Sequence, residues 1–168
     1  TRLQVRLVIW MLEQWAKQTK QPMDRAILHA LIAGIYADYA ANNQWELRRR
    51  TEIVEEAPSA DLREWTANIF VEKVRTNVKE ALADSVLLLK TSSRDYIPFV
   101  ELGKTSEYYH HDLYHLLASR GIDALLQVEK LGSGYTETNA VNPVKQDIIA
   151  IYGNMLSAYK AAGLKEGY

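Results

Sequence analysis

The chain has 168 residues, 20 Lys and Arg against 21 Asp and Glu for a net charge of −1, and no cysteine. That length suits one domain with a core of its own. The balanced charge argues against nucleic-acid and membrane-surface roles, which usually show a basic excess, and the missing thiols exclude a disulfide framework, a cysteine nucleophile and Cys-ligated zinc.

Helix breakers are few, with 4 Pro and 8 Gly, and apolar residues recur at steps of three and four. The predicted class is therefore all-α: a single-domain bundle or short array of about five to seven helices joined by short loops, with one irregular segment around 91–106. Residues 2 to about 19 predict a first helix whose stripe is Leu3, Leu7, Val8, Met11, Leu12 and Trp15. After a polar break at 18–21, Pro22 and Asp24 mark the start of a second helix. Its expected inner face is Leu28, Leu31, Ile32, Ile35 and Tyr39, and Asn42-Asn43 loosens its far end. The short link predicts an antiparallel pair held by that seam. Trp45 and Leu47 add apolar surface before Arg48-Arg49-Arg50, which read as cations near a helix C-terminus, favoured there by the macrodipole.

Residues 52–60 form a connection, and Pro58 ends whatever precedes it. Ser59 and Asp61 are candidate N-caps, and Asp61 to Glu64 has capping-box spacing. A third helix is expected from there to about Leu82, carrying Leu62, Trp65, Ile69, Phe70, Val74, Val78 and Leu82 inward. Asp84-Ser85 predicts a step, followed by VLLLK as a short buried helix, with a strand as the alternative. Across 91–106 regular periodicity fails, and Ile97, Phe99, Val100 and Leu102 read as loop anchors. A further helix lies between Ser106 and Leu131, with Leu113, Leu117, Ala124, Val128 and Leu131 in helical register. Gly121 within it predicts close packing or a bend. A loop spans 132–142. Asn142-Pro143 then starts the last helix, with Val144, Ile148, Ile151, Tyr152, Met155 and Tyr159 inward and Gly163 at its C-cap.

Few residues suggest chemistry. His111-Asp112-Leu113-Tyr114-His115 places two histidines at i and i+4 on one helix face, a spacing that can bind zinc. Asp in place of Glu reaches poorly toward a metal-bound water, and no third ligand is apparent. The structural alternative is a polar helix flank with His111 or Asp112 near the helix start and His115 partly exposed. Ser119-Arg120 and Arg50-Thr51 lack a partner base, so capping or solvated roles are expected. Glu52, Glu55 and Glu56 read as a solvated loop. GSGY at 132–135 lacks the strand-before, helix-after setting of a phosphate loop. No catalytic, cofactor-binding or metal residues are therefore assigned. No apolar run approaches the roughly 20 residues of a membrane span, and LQVRLVIWMLEQW is too charged for a secretory signal. Thr1 in place of Met, and the abrupt ending after LKEGY, predict a processed chain or a piece of a longer one.

Three segments carry a resemblance. They are AILHALIAGIYADYAANNQWELRRRT (26–51), LREWTANIFVEKVRTNVKEALADSVLLLKT (62–91) and DLYHLLASRGIDAL (112–125). In order and spacing they resemble the amino-terminal helical region of very large bacterial alpha-2-macroglobulin-like proteins. His115 stands where that pattern more often has Asp, His111 where it often has Pro, and Gly121 where it has Ala. The resemblance implies a non-enzymatic structural or interaction module of an envelope or periplasmic protein engaged in protease trapping or resistance. Other domains of the same large protein would be its partners, with an envelope protein or protease as further ones. The thioester of some members needs a cysteine, which is absent. Two alternatives stand beside this reading: a small metal-dependent hydrolase using His111 and His115, and a generic helical adaptor whose aromatic-lined groove, built with Trp45, Trp65 or Tyr109, takes a peptide helix.

Overall fold

The structure, a computed structural model, describes residues 2–50, 59–96, 112–132 and 142–163. Among them the backbone forms α1 (Arg2–Gln18), α2 (Pro22–Asn42), α3 (Gln44–Arg48), α4 (Ala67–Ala81), α5 (Ser85–Lys90), α6 (Leu113–Gly132) and α7 (Pro143–Ala161). Two 3-10 turns, Leu62–Glu64 and Ser93–Tyr96, complete the described elements. An isolated antiparallel bridge joins Ser92 to Asp112. The chain is all-α, as the periodicity predicts.

The helix starts follow side-chain chemistry. Pro22 opens α2 at a position whose N–H would have no partner. Asn142 Oδ1 accepts from Val144 N–H (2.9 Å) and Lys145 N–H (3.3 Å), satisfying two of the open donors at the start of α7, where Pro143 has none. Asp84 caps α5 by accepting from Leu87 N–H at 3.3 Å. Gly163, just past α7, adopts a φ of 72°, the left-handed conformation that favours glycine at a helix end.

Asp61 departs from expectation. It caps only the 3-10 turn, accepting from Arg63 N–H at 2.9 Å and gripping the Arg63 guanidinium. Trp65 and Thr66 then run extended, and α4 begins at Ala67. The break lets Trp65 turn inward. Its indole N–H donates to the Ser59 carbonyl (2.6 Å), and its ring lies 5.5 Å from Tyr36 and 5.2 Å from Phe70. Tyr39 stacks on Phe70 from the other side at 5.5 Å. Each such ring pair adds about 0.5–1.5 kcal/mol beyond area burial.

Helix α2 is central: α1, α4 and α6 all pack on it. Its buried face matches the expected stripe in part: Ile32 is fully buried, and Leu28, Ile35 and Tyr39 pack partly buried against the core. Met23, Ala26, Ile32, Ala33, Tyr36, Ala37 and Ala40 are buried, whereas Leu31 is half exposed. The alanines let the backbones of neighbouring helices approach, so the small-residue face wins the interior and the bulkier stripe is divided among flanking grooves. Helix α1 is turned. Ile9, Leu12 and Ala16 are buried, and of the expected stripe Leu7, Val8, Met11 and Trp15 are exposed. Apolar side chains sit on both faces of α1, so periodicity alone does not choose between them.

Two smaller expectations also change. In α5 only Leu88 is buried, while Val86, Leu87 and Leu89 are exposed, so the segment is a surface helix anchored by one side chain. In α7 Tyr152 faces outward, and the inner face is Val144, Ile148, Ile151, Met155 and Tyr159. Helix α6 packs on α2, α4, α5 and α7 and buries its predicted register, Leu113, Leu117, Ala124, Val128 and Leu131. One contiguous core runs from Ile9 to Met155. The anchors Ile97, Phe99, Val100 and Leu102 lie outside the described residues.

Candidate functional site

The histidine pattern resolves around one member. Asp112 sits just before α6, placed there by the bridge to Ser92 and by Leu113 N–H donating to the Thr91 carbonyl at 2.8 Å. One carboxylate oxygen accepts from the backbone N–H of His115 at 2.8 Å, as an N-cap does, and the other meets its ring Nδ1 at 2.7 Å. The ring Nε2 faces the Met155 carbonyl of α7 at 3.2 Å, and the ring lies 3.9 Å from Tyr159. His115 is 1% exposed, which corrects the expectation of a partly exposed flank. Each ring nitrogen is aimed at an oxygen and neither at open space. Asp112 is near the helix start as expected; His111, with His110 and Tyr109, lies outside the described residues. Among the described residues no group of three His, Asp or Glu is arranged to hold a metal ion.

The arginine run is structural at two of its three positions. Arg50 Nη1 donates to the Trp65 carbonyl at 2.7 Å, and Nη2 approaches Glu46 at 3.5 Å. Arg48 reaches the Lys130 carbonyl in the last turn of α6 at 3.4 Å, where cations are favoured. Thr51, the glutamates at 52, 55 and 56 and the segment 133–141 fall outside the described residues. Ser119 and Arg120 lie on α6 with no nucleophile–base pairing between them or to another described residue.

Two surfaces stand out. Between α2 and α6 runs a groove of about 470 Å³. Leu31, Gly34, Leu116 and Leu117 form its apolar part, and Asp38, Arg120 and Asp123 line it with charge. A β-carbon at Gly34 would meet nothing within 4 Å, so the groove is open there. It is aliphatic rather than aromatic: Trp65 is core, and Trp45 stands exposed elsewhere. The second surface is the outer face of α1, where Leu7, Val8, Trp10, Met11 and Trp15 are 37–56% exposed. Gln4, Gln14 and Gln18 accompany them, and charge is scarce. Scattered exposed apolar residues are ordinary, whereas five on adjoining turns of one helix form a contiguous patch.

Sequence periodicity found Leu7, Val8, Met11 and Trp15 but assigned them to the interior, and it did not single out Trp10. The signal that could have separated the faces is volume, since the buried ridge of Ile9, Leu12 and Ala16 is slimmer than the ridge of Trp10, Met11 and Trp15. Among the described residues no helix is long and apolar enough to cross a membrane. No family model matches the chain, and neither a curated protein nor a solved structure gives a significant match.

Proposed function

We propose that the chain is a non-catalytic helical interaction module, and that the outer face of α1 docks against another domain of the same large protein. The observation that carries this is the two-sided apolar character of α1. A contiguous patch of large apolar side chains opposite a buried face marks a surface that wants cover, and α1 packs mainly on α2. Trp, Met and Leu with few charges is the composition of an interface core rather than of a solvated rim. The scarcity of charge points to a lasting, apolar neighbour rather than a transient, electrostatically steered one.

The resemblance of residues 26–51, 62–91 and 112–125 to the amino-terminal helical region of bacterial alpha-2-macroglobulin-like proteins supplies the setting. In that setting the module belongs to an exported cell-envelope or periplasmic protein that traps or resists proteases, and it positions the larger body or docks a partner. Supporting the non-catalytic reading, His115 and Asp112, the described members of the histidine motif, are engaged with one another and with backbone.

A photo-crosslinking residue in place of Trp10, introduced into the protein in its native cell, tests this. Adducts mapped to another segment of the same polypeptide are expected, with none from the same residue placed at Gln44. Adducts to a second copy of the chain or to an unrelated protein, or no adduct at all, would overturn the same-chain docking.

A further inference from the structure

Side chains of α1, α2 and α4 line an open concavity of about 600 Å³. We propose that it binds a small polyvalent oxyanion, a phosphate- or carboxylate-bearing metabolite, between Lys17, Arg25, His29 and Lys73. These four side chains come from three helices and line one concavity, whose size is within the roughly 300–1,000 Å³ of small-molecule sites.

Charge singles the cleft out in a chain whose net charge is −1. Three cations line it against one carboxylate, Glu13. Glu13 is itself engaged, accepting from the buried Tyr36 hydroxyl at 3.1 Å. Among the described residues none of the three cations has a carboxylate partner. Arg25 donates to the Thr19 carbonyl at 2.9 Å, and the Lys73 ammonium lies 5.8 Å from the Trp65 ring centroid. Cations held on one concave surface repel one another. A bound oxyanion removes that repulsion and accepts charge-assisted hydrogen bonds from each. A guanidinium fork with two ammonium groups is a donor set suited to such an anion.

His29 is oriented for the same task. Asn77 Nδ2 donates to the Lys73 carbonyl at 2.8 Å, which turns Asn77 Oδ1 toward His29 Nδ1, also at 2.8 Å. Nδ1 therefore carries a proton and donates to the amide. Nε2 makes no hydrogen bond among the described residues; on the neutral ring it accepts from a protonated ligand oxygen, and on the imidazolium it donates to an anionic one. Asn77 is nearly buried, so the ring is held from behind by a side chain whose own position is set.

Titration of the protein with pyrophosphate and, in a separate arm, with citrate, each against potassium chloride at matched ionic strength, tests the proposal. Calorimetry and the side-chain resonances of His29 and Asn77 give the readout. Saturable binding that moves those resonances is expected. Lys17→Gln with Lys73→Gln should weaken it at least about tenfold, and Lys160→Gln on α7 should leave it unchanged. Should Lys73→Gln disturb the fold through Trp65, Lys17→Gln with Arg25→Gln serves as the second pair. Binding of both probes identifies a site that reads charge on any oxyanion, and binding of one alone identifies phosphate or carboxylate as the class. No saturation below about 10 mM, or affinity unchanged in both double variants, overturns it.

Discussion

Gly121 on α6 lies so close to Val78 on α4 that a β-carbon added to the glycine would stand 2.9 Å from Val78 Cγ1. Of the two sequence expectations for this glycine, close packing holds. Helix propensity alone makes Gly121→Ala stabilising by about 1 kcal/mol. The contact reverses the sign, because a valine in a helix is stiff at χ1 and cannot swing away. Gly121→Ala should cost about 1–3 kcal/mol, the usual range for overpacking. In a Val78→Ala background the same change should turn stabilising. Urea midpoints for the four proteins of the cycle decide it, and a raised midpoint for Gly121→Ala alone would show that the helices do not meet this tightly.

The Asp112 carboxylate serves two buried groups at once, the backbone N–H and the ring of His115. Asp112→Ala removes a helix cap, worth about 1 kcal/mol, and leaves a buried ring nitrogen without its partner, about 1–3 kcal/mol more. Asp112→Asn keeps an acceptor for the cap and should cost clearly less. Equilibrium unfolding in urea measures both. Equal losses for the two variants would mean that the cap contributes little and that the charge on the carboxylate dominates.

Arg75 ties α4 to α7. Its Nε donates to Asp147 at 2.6 Å while Nη1 donates to Glu72 at 3.0 Å. The hydrogen bond donated to Asp147 is the main reason the guanidinium pKa is raised, against the opposing effect of partial burial. Arg75 and Asp147 side chains are only 16% and 20% exposed, so bulk salt screens them weakly. Asp147→Ala should cost about 1–3 kcal/mol. Arg75→Lys should not recover the wild-type value, because an ammonium on a flexible stem does not reproduce two fork-directed bonds. A loss that vanishes in 1 M salt would place the pair among surface ion pairs instead.

Tyr36 predicts the shape of the alkaline limb. Burial raises its pKa first, and the neighbouring Glu13 carboxylate raises it further. The folded state therefore holds the phenol proton more tightly than the unfolded chain does. The stability this gives is fully present below the ordinary tyrosine value of 10.0 and is lost as pH rises above it. The unfolding free energy of the wild type should fall above pH 10 with up to about 1.4 kcal/mol per pH unit from this one group. Tyr36→Phe should flatten that limb, and a parallel decline in both proteins would remove Tyr36 from the account.

What the sequence discloses here depends on how local the cause is. The Asn142-Pro143 start, the Asp84 step and the Gly163 end were legible because cap and helix are adjacent in the chain. The register of α6 was legible because its neighbours leave it a wide buried face. His115 was misplaced because its burial depends on Met155 and Tyr159, some forty residues downstream, and no local pattern marks a polar side chain for the interior. The α1–α2–α4 cleft was invisible for the same reason: Lys17, Arg25 and Lys73 are ordinary surface cations until three helices bring them together. Asp61 was legible as a cap but not as the cap of a turn, since only the inward rotation of Trp65 ends that turn before α4.

Helix α1 gives the sharpest contrast between pattern and packing. Leu7, Met11 and Trp15 form the ridge that periodicity favours for the interior, yet all three face outward, and Ile9 is fully buried. Ile9→Ala should therefore destabilise the isolated chain by about 2–5 kcal/mol, the cost of a large-to-small change in a core. Leu7→Ser and Trp15→Ser should stay within about 0.5 kcal/mol of wild type, as surface changes do. Chemical denaturation followed by far-ultraviolet circular dichroism separates the two classes. The same serine variants should nevertheless abolish docking in the intact protein, since they remove apolar surface that contributes only when covered. If Trp15→Ser instead unfolds the isolated chain as severely as Ile9→Ala, the outward face of α1 is part of the core and is not free to receive a neighbouring domain.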